Sequence, residues 1–424
     1  MKNVCVIGGG AAGLMAAYAA GKNGHNVTVF EKNEKLGKKI YITGKGRCNF
    51  TNDVSVDDFM QNIVRGKKFM TGALYTFSPQ QVITFFEDIG MAVKVERGNR
   101  AFPVSDHASD VTKALEKGCK LHGVQIHLNE EVKGITSDII PMSDINGGKD
   151  TPDIIPMSDV ITVRTSKNEY TFDEVIIATG GVSYPTTGST GDGHRFAKIL
   201  GHTITDLKPG LCGLNLVDER FKTLQGLALK NVKIRVQNGT RMIYEELGEV
   251  LFTHFGISGP LILTASSMIN RLDLNNVSIA LDLKPALDID VLDKRLLRDF
   301  EKYKNKQIAN ALVELLPQKL IPVLLHFAGI DERKAVNILT KEERNKLVQI
   351  LKCLPLKIRS LRGFEEAIIT SGGVDISEIN PKTMESKKHK HIRFCGEVLD
   401  VDAFTGGFNM QIAFATGYVA GDSI

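Results

Sequence analysis

The opening segment, Val4-Cys5-Val6-Ile7 running into Gly8-Gly9-Gly10-Ala11-Ala12-Gly13, restricts the fold more than any other part of the chain. Four apolar residues predict a buried parallel strand, and the run after them fits G-x-G-x-x-G with Gly8, Gly10 and Gly13 in place. Gly8 allows the turn, Gly10 lets the backbone approach a diphosphate, and Gly13 lets the helix pack on the sheet. The N–H groups of the helix start, from Ala11 and Ala12 onward, and the helix dipole favour an anion there. Small residues carry this helix to Asn23, and Gly24 stops it. Val27 to Phe30 reads as a second strand, with Glu31 at its end placed to accept the hydroxyls of an adenosine ribose. Lys32 adjoins it and is counted among the cofactor-binding candidates. The sequence thus predicts a dinucleotide site. Lys2 and the small apolar run ending at Ala17-Tyr18-Ala19 superficially suit a signal peptide, but three consecutive glycines break such a segment.

Length and composition set the outer limits. At 424 residues two or three domains are expected. Lys and Arg exceed Asp and Glu by only 53 to 49, which argues against a nucleic-acid partner or an acidic membrane surface. No apolar run approaches the ~18–20 residues that span a bilayer. Six scattered cysteines without C-x-x-C speak against zinc and dithiol chemistry and suit a reducing compartment, so a cytoplasmic protein with no metal is expected.

Further along, Lys35 to Ile40 and Thr43 to Asn52 form a loop rich in glycine, arginine and asparagine. Such a loop can lie against a planar ring, with Lys39, Gly44 and Arg47 as candidate contacts; Cys48 within it reads as a packing residue. Ser78-Pro79 starts a helix that Gly90 closes, and a second helix covers about Ser109 to His122. Strand Val124 to Leu128 follows, and Val132 is the candidate to offer backbone groups to an adenine. From Thr136 to Asp159 the pattern lapses, and DIIPMSD occurs twice, at 138–144 and 153–159, as a duplicated insertion. Val160 to Thr165, Tyr170 to Phe172 and Glu174 to Ile177 resume the strands. Ala178-Thr179-Gly180-Gly181 then brings the backbone, with Thr179 and Gly180, back beside the dinucleotide.

The glycine-rich stretch Gly188 to His194 lacks a preceding apolar strand and is not read as a second nucleotide site, which leaves no evident seat for NAD(P)H. From His202 to Lys284 alternation predicts strands, and His254 stands in Gly248 to Pro260, the one histidine within a motif. Helical spacing runs from Asp288 to Leu354, and short strands return from Phe364 to Lys387. Lys387 to His391 reads as a solvated turn. Ile392 to Phe394 is a strand leading through Gly396 to Gly407 into a helix of small residues from Ile412 to Ala420.

A βαβ unit ending in Glu31, a three-stranded meander and an Ala-Thr-Gly-Gly strand resemble the FAD domain of the glutathione-reductase superfamily. That likeness implies that Asp400 faces the ribityl or phosphate region, and that Gly407, Phe408, Asn409 and Met410 bring N–H groups to the flavin N1 and C2 carbonyl. Gly8 to Gly13, Lys38 to Ile40 with Thr43 to Asn52, Gly248 to Pro260, Gly372 to Lys387 and Gly396 to Gly407 together resemble the BaiN-like bacterial flavoproteins, also called YhiN-like or aminoacetone-oxidase-like. The resemblance implies an α/β fold: a Rossmann-like FAD domain built from both chain ends, with an inserted β-barrel-like domain that carries a helical insert. The expected boundaries are 1–200 and 391–424 for the FAD domain, 201–285 and 356–390 for the β-rich domain, and 286–355 for the helical insert. The duplicated insertion departs from the family pattern, and so does Lys45, where glycine is frequent.

The resemblance also implies non-covalent FAD, a small-molecule substrate and electron transfer through the flavin. The leading expectation is an NAD(P)H-driven reductase of C=C bonds in cyclic enones of the 3-oxo bile-acid or steroid type, with NAD(P)H a transient donor and His254 or Arg47 polarising the substrate carbonyl. An amine oxidase using oxygen and a flavin-binding module without catalysis are the alternatives. Oligomeric state is left open.

Overall fold

The computed structural model describes residues 1–137 and 160–424, so the duplicated DIIPMSD segments lie outside the described residues. The chain divides into two compact units, Met1–Lys208 with Ile368–Ile424, and Pro209–Ala367. This division leaves residues 368–390, expected in the inserted domain, with the nucleotide-binding unit. Main-chain bonds explain it: the Val374 N–H donates to Val398 O at 2.8 Å, and the Asp400 N–H to Val374 O at 3.0 Å.

The first unit is built on five parallel strands in the spatial order 392–394, 174–177, 3–7, 26–30 and 125–127. Both faces are covered at its centre, so strands 3–7 and 174–177 are near-continuous apolar runs; Val4, Cys5 and Val6 are fully buried. The first helix, Ala11–Lys22, lies against the last, Phe408–Asp422. Two glycines one helical turn apart allow that contact: a Cβ on Gly417 would sit 2.3 Å from Ala12 O, and one on Gly421 2.1 Å from Ala16 O. The small-residue character of the terminal helix is therefore a packing requirement that joins the two chain ends.

Strands Val132–Ser137, Ile161–Thr165 and Glu169–Phe172 form the expected antiparallel meander. A second small sheet joins Thr51–Asn52, Arg100–Pro103 and Val93–Glu96. Helix Pro79–Asp88 starts at Ser78-Pro79, as its sequence predicts, and Ser78 and Gln81 cap it reciprocally. The Lys387–His391 turn is more than a solvated connection. His391 Nδ1 is 2.9 Å from the buried Glu174 carboxylate, which Lys2 and Arg393 also hold, and His389 Nε2 is 2.8 Å from Leu200 O.

The second unit carries a seven-stranded antiparallel sheet in the order 354–356, 277–282, 228–238, 241–252, 256–258, 214–216 and 358–361. Helices Ile289–Lys302, Ile321–Ala328 and Lys341–Lys352 share its leucine- and isoleucine-rich core.

Candidate functional site

The glycine turn shows which of its residues the fold itself needs. Gly8 has φ +107°, and a Cβ there would meet Ala178 O at 2.6 Å; at Gly13 it would meet Gly8 O at 1.9 Å. At Gly10 a Cβ would meet no protein atom within 4 Å. Packing therefore demands glycine at 8 and 13 but not at 10, as expected where a ligand approaches the backbone. Gly10 caps the Ala11–Lys22 helix and no side chain caps it, which leaves the first-turn N–H groups to an anion.

At the adjoining strand end Glu31 is buried, and it accepts from the Gly9 N–H at 2.8 Å and from the Asn33 N–H and side-chain amide at 2.8 and 2.6 Å. The Glu130 N–H donates to Glu31 O and the Asn129 N–H to Asn33 O, so the segment leading into Val132 runs beside this acid. Lys32 is turned to Thr190 Oγ1 at 2.5 Å and the Asp192 carboxylate at 2.6 Å. In the Ala178–Gly181 segment Gly180 has φ +74°, and the buried Thr179 hydroxyl has no hydrogen-bond partner.

Lys39 reaches the turn after strand 392–394. Its ammonium donates to Glu397 Oε2 at 2.7 Å and to Ser183 Oγ at 2.6 Å. Glu397 Oε1 also accepts from the Ser183 hydroxyl at 2.8 Å and the Thr370 N–H at 2.7 Å. Gly396 packs on Ala12 at the first helix start, where a Cβ would lie 2.6 Å from the alanine methyl. Glu397 thus stands beside the start of helix Ala11–Lys22; with Ser183 and Thr370 it is absent from the sequence-derived candidates. A carboxylate directly after a glycine at a strand end was the available signal. Asp400, given the ribityl role by resemblance, is bound by Arg65 through two contacts of 2.8 Å.

The loop at 43–52 is held on the start of the terminal helix. Thr51 Oγ1 donates to Gln411 Oε1 at 2.7 Å, and Asn52 Nδ2 to Gly406 O at 3.0 Å. Gly44, Lys45, Gly46 and Cys48 take left-handed φ values of +60°, +58°, +88° and +57°. Gly407, at φ +91°, is the helix N-cap with no side-chain capping bond; a Cβ there would meet Thr51 O at 2.5 Å and Asn49 Oδ1 at 2.9 Å. Phe408 packs edge-on against Phe59, the Asn409 side chain ties to Ala403 and Phe404, and Met410 packs on the core. These side chains are engaged by the fold, so what the helix start offers a ligand is its backbone.

The two catalytic candidates lie in different units. The Arg47 guanidinium is bound by Glu96 and Asp106 and stacks 4.3 Å from the Phe102 ring centroid, so its charge is compensated locally. His254 is an exposed residue of the second unit, in the turn between strands 241–252 and 256–258, with its ring edge-on to Phe255. Cys48 is fully buried, and burial pushes its thiol up to about 12, which fits packing rather than redox chemistry. Among the described residues no group of three His, Cys, Asp or Glu could hold a metal ion, and no helix is long and apolar enough to cross a membrane.

The HI0933-like protein Rossmann domain matches residues 2–423. The chain belongs to the HI0933-like family. Among its relatives, a 3-dehydro-bile acid Δ(4,6)-reductase of Clostridium scindens is 29% identical over 99% of this chain and 98% of its own. A ribosomal RNA dihydrouridine synthase of Escherichia coli is 28% identical over 99% of this chain and 97% of its own. In fold the chain is similar to a 3-ketosteroid Δ4-(5α)-dehydrogenase from Rhodococcus jostii RHA1, with TM-score 0.52, 15% identity, and coverage of 100% of this chain and 96% of that one. The protein is an FAD-dependent oxidoreductase with a Rossmann-type nucleotide-binding unit. The open face at Gly10, the two uncapped helix starts and the fixed Glu31 fit that cofactor.

Proposed function

We propose that this HI0933-like flavoprotein reduces a C=C bond conjugated to a carbonyl in a small cyclic enone of the 3-oxo bile-acid or steroid type, with electrons from NAD(P)H. The observation that carries the reading is the end-to-end match to relatives whose named reactions share one bond change. A bile-acid Δ(4,6)-reductase saturates C=C bonds conjugated to a ring ketone, and formation of dihydrouridine saturates the C=C bond beside the C4 carbonyl of uracil. Bound FAD supplies the hydride chemistry, and the protein binds, orients and polarises the substrate. For its cofactor we assign Gly8, Gly10 and Gly13 with the N–H groups of Ala11 and Ala12 to the diphosphate, Glu31 to the ribose, the segment at Val132 to the adenine, and the backbone at 407–410 to the pyrimidine end. Lys39 and Glu397 join these elements beside the diphosphate. Thr179 and Gly180 line the same turn, while Lys32, Gly44 and Asp400 support it from the positions described. His254 or Arg47 is the candidate donor to a substrate carbonyl.

A second reading is the reduction of uridine in RNA. Besides the Escherichia coli relative, the charge distribution favours it: residues 209–367 hold 24 Lys and Arg against 19 Asp and Glu, so the second unit carries the basic excess that the near-neutral total conceals. The test is anaerobic turnover with NADH and NADPH against a 3-oxo-Δ4 steroid panel and, separately, against ribosomal RNA lacking dihydrouridine, read by mass. A gain of two hydrogens on the steroid supports the first reading, and the same gain on uridine the second. Flavin reduction by small amines with peroxide formed on exposure to oxygen would replace both with the oxidase.

A further inference from the structure

We propose that Asn49 is the side chain that recognises the flavin ring, accepting a hydrogen bond from its N3–H; this rests on the FAD reading above. Asn49 Oδ1 is buried and has no hydrogen-bond partner, a condition that is costly for a buried acceptor. It faces the left-handed Gly407 at the start of helix Phe408–Asp422, where no side chain caps the first turn. Acceptor and donors thus stand side by side, each without a protein partner in the first turn.

The surroundings hold Asn49 in that position. Before it, Cys48 is buried in the left-handed region with its N–H bonded to Thr43 O, and Arg47 is fixed by Glu96 and Asp106. After it, Phe50 is fully buried against Phe86 and its N–H donates to Ala101 O. A ligand that satisfies both features must present an acceptor for the helix N–H groups and, next to it, a donor for Asn49. The pyrimidine edge of a flavin has this pattern, with C2=O beside N3–H. The adenine end of FAD is accounted for elsewhere, by Glu31 and the segment before Val132.

The full-length apoprotein is titrated with FAD and with 3-methyl-FAD, which lacks the N3 proton. The wild type is expected to prefer FAD by about tenfold or more, the scale of one lost hydrogen bond to a buried group. Asn49→Ala is expected to bind FAD about tenfold more weakly and to discriminate by less than about threefold, while Asn49→Asp, which keeps an acceptor, retains the preference. In the wild-type holoprotein the flavin N3–H should ionise at higher pH than in Asn49→Ala, followed in the flavin spectrum, a shift that a purely structural role would not produce. Equal binding of the two flavins by the wild type, or an unchanged ratio in Asn49→Ala, overturns the assignment. A chain that takes up neither flavin overturns the FAD reading together with it.

Discussion

Lys39 Nζ lies 2.7 Å from Glu397 Oε2, which joins the segment after the second strand to the turn that leads into the last helix. Both side chains are about a quarter exposed, and the pair is reinforced by Ser183 and the Thr370 N–H. Replacing Glu397 by Ala leaves Lys39, the Ser183 hydroxyl and the Thr370 N–H without their shared acceptor, so the turn packed on the first helix start loses its anchor. FAD affinity should fall about tenfold, the effect of roughly 1.4 kcal/mol, and Lys39→Ala should give a smaller loss, measured by flavin release on dilution.

Gly10 and Gly13 separate cofactor binding from folding. A Cβ at Gly13 would lie 1.9 Å from Gly8 O, whereas one at Gly10 would meet nothing within 4 Å. Gly13→Ala should destabilise the chain by about 2–4 kcal/mol through forced backbone movement. Gly10→Ala should leave the unfolding free energy of the apoprotein within about 0.5 kcal/mol of wild type and lose FAD. Thermal unfolding and flavin content, measured on both variants, check this pair.

Lys45 holds a left-handed backbone at φ +58° with a side chain that favours the right-handed region. Lys45→Gly removes that strain, which costs roughly 1 kcal/mol for an L-residue, and should raise stability by about 0.5–1 kcal/mol in urea unfolding.

Glu378 supplies a pH signature. Burial alone would raise its carboxyl, but Lys388, the Thr203 N–H and hydroxyl, and His202 bind the charged form and bring it down to about 2 from the usual 4.5. A carboxyl depressed on folding stabilises the native state fully above its ordinary value, and that contribution is lost as pH falls from 4.5 through about 2. Glu378→Gln should cost about 2–3 kcal/mol at neutral pH and flatten this part of the stability profile, followed by denaturant unfolding from pH 2 to 7.

Of the six cysteines Cys353 alone is exposed, and burial pushes up the thiols of Cys5, Cys48, Cys119, Cys212 and Cys395. A thiol reagent should therefore modify one cysteine per native chain and none in Cys353→Ser.

The parts legible in the sequence were those fixed by local rules. The strand, the glycine turn and Glu31 lie within 28 residues, and each is a backbone requirement that a residue type betrays. The Ser78-Pro79 helix start, the meander and the small-residue terminal helix were readable for the same reason. Pairings made across hundreds of positions were not. Nothing near Lys39 points to Glu397, and nothing near Asp400 points to Arg65; only the folded sheet brings them together. Arg47 shows the converse, because a lone arginine in a glycine loop gives no sign of the Glu96 and Asp106 carboxylates that neutralise it. The Lys387–His391 run reads as solvated charge, since its partners Leu200 and Glu174 come from distant strands and helices.

The central claim is that electrons held on the bound flavin are delivered to a C=C bond conjugated to a carbonyl. It is tested most directly by reducing the holoprotein anaerobically, mixing it with a 3-oxo-Δ4 steroid or with unmodified ribosomal RNA, and following the return of oxidised-flavin absorbance. The account predicts reoxidation with one of these acceptors, in step with formation of the saturated product. A flavin that stays reduced with every conjugated acceptor, and is reoxidised only by oxygen, would contradict it.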